Sequence, residues 1–139
     1  MSQTVTYILF GYWCNCGYTY KLISTPLVQY NFDIFWSEKS NHYVKALAFD
    51  LENGLLIQNK ALQIFGALEQ LNSEFTDSKT LTTFDLLITK PRDRNYYSDF
   101  EKALKIIDSV KLPVIFTLED NWNRYTDEMI EKSRELTMN

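Results

Sequence analysis

The chain predicts a single-domain mixed sheet, α/β or α+β in class, with an N-terminal antiparallel meander, a C-terminal βαβ unit and about three helices packed on the sheet. Three observations carry that expectation. Apolar residues alternate with polar ones through the first fifty positions, helical spacing takes over after Asn59, and residues 84–118 read as strand, helix, strand.

The first half is crowded with aromatic residues suited to strands. Residues 3–10 and 43–51 are strand candidates, and Tyr18, Tyr20 and Leu22 alternate with Thr19 and Lys21. Val28, Tyr30, Phe32, Ile34 and Trp36 alternate with Gln29, Asn31 and Asp33, a period of two that places the apolar set on one face of a half-buried strand. Asn53-Gly54 is the pair preferred by a type I′ hairpin turn.

Ala61, Ile64, Phe65, Leu68, Leu71 and Phe75 then recur at helical spacing, with Asn59 placed to cap the first turn. Gly66 inside this helix costs about 1 kcal/mol relative to alanine, which marks either close backbone packing or a tolerated expense. Residues 81–89 form a buried strand. Ser98 and Glu101 have the spacing of a capping box at the start of a second helix, whose stripe is Phe100, Ala103, Leu104, Ile107 and Val110. The apolar run 114–118 suits a strand covered on both faces and paired in parallel with the one before the helix. Residues 126–136 form a third helix, with Asp127 and Glu128 facing the positive end of its dipole.

The wording FDLLITK followed by FEKALKIIDSVKLPVIFTL resembles the central βαβ of response-regulator receiver domains over perhaps a quarter of the chain. The family's phosphate-accepting aspartate would fall at Thr89 or Lys90 and its hydroxyl residue near Thr117. The acceptor is missing, and Gly11, Tyr12 and Trp13 stand where the family's paired acids follow its first strand. The likeness therefore reads as shared βαβ physics rather than kinship.

The 139 residues, 45% of them hydrophobic, suit one compact domain, 1–139, with a sizeable core. The net charge of -4 disfavours a phosphate backbone as partner, and the aromatic strands lack the basic companions of a base-stacking platform. No apolar run reaches the roughly 18 residues of a membrane span, and residues 1–10 lack the basic start of a secretory leader. Cys14 and Cys16 are too few for a disulfide framework, so a reducing cytoplasm is the expected compartment. With His42 they make an incomplete ligand set for a soft metal, and the histidine reads as an incidental surface residue in a turn. Nucleotide-binding glycine loops and zinc-protease motifs are missing, and no cofactor is expected.

Parallel strands direct attention to the loops at their carboxyl ends. Residues 90–97 carry Lys90, Arg92 and Arg94 before a helix, a candidate anion site. Residues 119–123 carry Glu119 and Asp120, and these adjacent carboxylates suit a hard cation or a basic partner. The last twenty-one residues are the most acidic segment. The sequence therefore favours recognition over catalysis: an immunity-type inhibitor that neutralises a basic toxin enzyme through Glu119, Asp120, Trp122, Asp127, Glu128 and Glu131, with Tyr12 and Trp13 as further aromatic anchors. Small bacterial immunity proteins are similar in size and composition. The alternatives are a small anion-binding regulatory domain, or an enzyme of unrecognised type using Asp93, Glu119 and Asp120.

Overall fold

Five strands pair in their order along the chain, antiparallel first and parallel after. The structure, a computed structural model, describes residues 7–9, 12–14, 19–24, 29–75 and 81–137, with side chains for 29–72, 75 and 81–133. Strands β1 (Tyr7–Leu9) and β2 (Tyr12–Cys14) form a separate antiparallel pair. The main sheet has the order β3-β4-β5-β6-β7: β3 is Thr19–Ser24, β4 Gln29–Ser37, β5 Ser40–Ala48, β6 Leu81–Thr89 and β7 Val114–Leu118. β3, β4 and β5 are antiparallel neighbours, whereas β5, β6 and β7 run in parallel. The expected mixed sheet, with a meander before a βαβ unit, is the fold observed.

Two parallel connections need two crossovers, and helices supply both. α1 (Gly54–Phe75) joins β5 to β6, and α2 (Tyr97–Asp108) joins β6 to β7. Both lie on the same sheet face, where Ile57, Ala61, Ile64, Leu68 and Leu71 of α1 and Phe100, Ala103 and Ile107 of α2 meet Phe32, Tyr43, Leu47, Phe84, Leu86 and Ile88. α3 (Trp122–Thr137) covers the opposite face, where Met129 and its neighbours meet Ile34, Trp36, Val44 and Leu87. The layers are thus two helices, a sheet and one helix. No helix among the described residues is long and apolar enough to cross a membrane.

The alternation of β4 does not keep its apolar set on one face. Between Thr19 and Lys21 of β3, two residues on, β4 advances three, from Phe35 back to Phe32. That extra residue is a bulge, which reverses the side-chain direction along the strand. Tyr30 and Phe32 therefore enter the α1/α2 core, while Ile34 and Trp36 enter the α3 core. Beside the bulge, the Asp33 carboxylate accepts from the backbone of Ala46 at 2.9 Å and so takes over a ladder bond.

Helix starts also differ from the expectation. Asn53-Gly54 is no hairpin turn: the Asn53 side chain accepts from Leu56 N–H at 2.9 Å and caps α1, so Asn59 lies inside the helix. A helix directly after β5 serves the parallel crossover that a hairpin would forbid. The Ser98–Glu101 box does not cap α2, because a 3-10 turn (Arg94–Tyr96) capped by Asp93 leads straight into it. α3 begins four residues earlier than expected, so Glu119 and Asp120, in the 3-10 turn just before it, take the place assigned to Asp127 and Glu128. β7 is an edge strand of the described sheet, with Ile115 46% exposed, and is not covered on both faces.

Candidate functional site

A polar cluster sits in the middle of the α3 face, where Trp36, His42, Thr83 and Asp85 project from three adjacent strands. Trp36 and His42 are direct partners across β4 and β5, and their rings stack at 4.0 Å with planes 7° apart. His42 in turn pairs with Thr83 across β5 and β6, which brings its Nδ1 within 2.8 Å of Asp85 Oδ2 and 2.9 Å of Thr83 Oγ1. Thr83 donates its hydroxyl to Asp85 Oδ1 at 2.9 Å, so both groups facing Nδ1 offer it lone pairs. Nδ1 therefore carries the proton. Nε2 faces Glu38 Oε1 at 3.4 Å, and Lys132 Nζ lies 3.8 Å from the same oxygen.

α3 closes the cluster. Tyr125 donates its hydroxyl to Asp85 Oδ2 at 2.5 Å and accepts from Trp36 Nε1 at 3.0 Å. Asp85 is 1% exposed and receives three donors, so both oxygens of this buried carboxylate are hydrogen-bonded. His42, read from its turn-like neighbours as a surface residue, is a 9% exposed strand residue. A signal for the cluster was present in the sequence: a lone carboxylate inside the apolar run 84–88 demands a buried partner, and the chain has one histidine.

Beside the cluster, a cleft of about 330 Å³ opens between α3 and the outer strand β7. Ile115 and Thr117 line one wall, Arg124, Glu128 and Lys132 the other, and His42 and Asp85 the back. Its lining comes from the strand face and α3, with Asn121 the one residue drawn from the loops at the carboxyl ends of the strands.

The two predicted loops do meet there, but differently from an anion cradle. Lys90 N–H donates to Glu119 Oε1 at 3.0 Å, and its ammonium lies 4.0 Å from Asp120. Arg92 turns away to Asp50 at 2.8 Å, and Arg94 is exposed in the 3-10 turn. Asp93 accepts from Asn95 N–H and serves as a cap. Trp122 is half-buried and donates to the Thr117 carbonyl at 3.0 Å, tying α3 to the end of β7. Asp120, Asp127, Glu128 and Glu131 are exposed, with Glu128 3.4 Å from Arg124. Tyr12 and Trp13 belong to β2, and their side chains lie outside the described set, as do those of Cys14 and Cys16. Among the described residues no group of three or more His, Cys, Asp or Glu is placed to hold a metal ion.

Fold and site together define a three-layer α+β domain with a satisfied polar cluster beneath one acidic helix. Comparison with protein-family models, curated proteins and solved structures finds no match.

Proposed function

We propose that this protein is a cytoplasmic recognition domain, an immunity-type inhibitor that seats a basic toxin enzyme on the outer face of α3. The observation that carries the reading is the division of labour across that helix. On its inner side, Tyr125 is held by Asp85 and Trp36, and Trp122 by Thr117. On its outer side, Asp127 and Glu131 are exposed, and Asp120 is exposed in the 3-10 turn that leads into it. A helix fixed by part-buried hydrogen bonds presents its carboxylates with little ordering cost on binding, and carboxylates so presented raise the rate of encounter with a basic surface.

The cluster itself favours holding over reacting. Asp85 has its oxygens engaged by three donors and both nitrogens of His42 face carboxylates, so the pair's hydrogen bonds are directed within the fold. The alternative anion site is weaker at the predicted loop, because its cations are directed to carboxylates on different segments, Arg92 to Asp50 at 2.8 Å and Lys90 to Asp120 at 4.0 Å, and neither lines the cleft beside the cluster. Tyr12 and Trp13 remain the proposed aromatic anchors.

The test is titration of the full chain against basic nuclease domains encoded beside its gene, read by calorimetry and by nuclease activity. A complex that inhibits the nuclease, and that weakens at least about tenfold in an Asp127→Lys, Glu131→Lys double variant, is expected. Absence of a complex at low salt, or one indifferent to the reversal, would remove the reading.

A further inference from the structure

The cleft between α3 and β7 is lined by two cations, Arg124 and Lys132, together with the carboxylates of Asp85 and Glu128. We infer that it is a binding site for a small organic oxyanion, a carboxylate or phosphate monoester carried on a flat apolar body. The inference stands independently of the proposed protein partner. The volume, about 330 Å³, falls near the lower end of the roughly 300–1,000 Å³ range of ligand clefts, which restricts the occupant to a small molecule.

The preference for an anion follows from how firmly each charge is held. Asp85 is 1% exposed and its oxygens receive Thr83, Tyr125 and His42, so its charge is directed into the fold. Glu128 faces Arg124 through Nε at 3.4 Å, an exposed i,i+4 pair of the weak kind that water screens. So weak a pair yields readily to a ligand, and the terminal guanidinium nitrogens offer a planar fork that matches two oxygens at once. Asn121 and Thr117 line the cleft beside Arg124 and add neutral hydrogen-bonding groups. Lys132, held at 3.8 Å from Glu38, supplies a second cation eight residues along the helix, about 12 Å further along its axis. The cleft thus has an anion end at Arg124 and a cationic far end at Lys132.

The apolar body has its own wall. Ile115 is 46% exposed on an edge strand, and it faces the cleft with Met129 behind. A flat group laid along that wall removes apolar surface from water at both partners, a gain that bare inorganic phosphate cannot obtain.

The experiment is an amide NMR titration of the full chain with phenylacetate and with phenyl phosphate, alongside benzylamine and inorganic phosphate. Saturable shifts are expected at residues 115, 117, 121 and 124 and at the Trp36 indole for one or both organic anions; which of the two binds assigns the oxyanion. Arg124→Glu should weaken binding at least about tenfold, and Ile115→Trp, placed at an exposed position, should abolish it by filling the cleft. Four results would overturn the inference. These are no shift at about 20 mM, where a millimolar binder is near saturation, equal binding of benzylamine, equal binding of inorganic phosphate, and indifference to Arg124→Glu in a variant whose spectrum shows it folded.

Discussion

The two faces of the sheet solve the same packing problem with different chemistry. Against α1 and α2 the sheet presents Phe32, Tyr43, Leu47, Phe84, Leu86 and Ile88, an apolar layer in which Phe84 lies within 5.7 Å, ring to ring, of Phe32, Tyr43 and Phe75. Against α3 it presents a smaller apolar patch, Ile34, Val44 and Leu87, wrapped around Asp85 and His42. One face is held by area and shape, which tolerate small adjustments. The other depends on directed hydrogen bonds, which hold one arrangement and lose their worth when a single partner goes. The difference places rigidity, rather than mass of core, under the helix proposed to recognise a partner.

The largest effect should come from the apolar face. Phe84→Ala removes a fully buried ring from the centre of the aromatic group and should cost about 3–5 kcal/mol in urea unfolding, with α1 and α2 both loosened in hydrogen exchange. A loss below about 1 kcal/mol would mean that the aromatic layer is not the main store of stability.

On the α3 face, Asp85→Ala leaves His42, Thr83 and Tyr125 without their shared acceptor and should cost about 2–4 kcal/mol. The sharper test is the pair. An apolar double replacement, Asp85→Leu with His42→Leu, should cost less than Asp85→Ala alone, because the buried imidazole goes with its acceptor and the leucines fill the space, leaving only the Thr83 and Tyr125 hydroxyls to lose a partner. The helix position should then become less defined, read as broadened amide signals along α3. If the double variant loses more than the single, the cluster supplies net stability and not only position.

Much of the fold was legible because it depends on local periodicity. The strand at 81–89, the helical stripes around Ala61 and Phe100 and the parallel βαβ are all written in the spacing of apolar residues. The parts that were not legible depend on distant partners. The bulge in β4 is fixed by its pairing with β3, so a strand that alternates cleanly in sequence divides its apolar residues between two cores. Asn53-Gly54 satisfies both a tight hairpin and a helix cap, and the parallel pairing of β5 with β6 is what selects the cap. His42 and Asp85 are 43 residues apart, and Tyr125 another 40. Their meeting is a property of the sheet and of α3, although the isolated Asp85 in an apolar strand was a clue to it.

At the rim of the apolar face, alkaline pH sharpens the contrast without removing any core group. Burial first, and then the Asp33 carboxylate, push the Tyr30 phenol from 10.0 up to about 12. The folded form therefore disfavours the phenolate, so this contribution is fully present below pH 10 and is lost as pH rises towards about 12. Lys60 has the opposite sign, since burial and Lys45 lower its ammonium from 10.5, and its contribution has no further slope above that value. Tyr43, raised by burial, acts in the same direction as Tyr30. Tyr30→Phe should therefore reduce, without abolishing, the fall in urea midpoint above pH 10.5. An unchanged slope would place the alkaline transition elsewhere.

The smallest expected effect separates two glycines of α1 and tests how closely that helix is fitted. Among the described residues, a Cβ built at Gly66 meets no heavy atom within 4 Å beyond the backbone of its own helix turn, whereas one at Gly54 would lie 2.6 Å from the Asp99 carboxylate of α2. Gly66 is therefore a tolerated cost rather than a close-packing contact. Replacing it with alanine removes backbone freedom from the unfolded chain without a clash, and Gly66→Ala should stabilise by about 0.5–1 kcal/mol. Gly54→Ala gains the same chain entropy but must push Asp99 aside at the point where the starts of the two helices meet, so it should gain less or lose stability. Thermal denaturation of the two variants side by side decides the matter. A destabilised Gly66→Ala would show that α1 has a neighbour at that position, and the apolar face would then be more tightly enclosed than its contacts indicate.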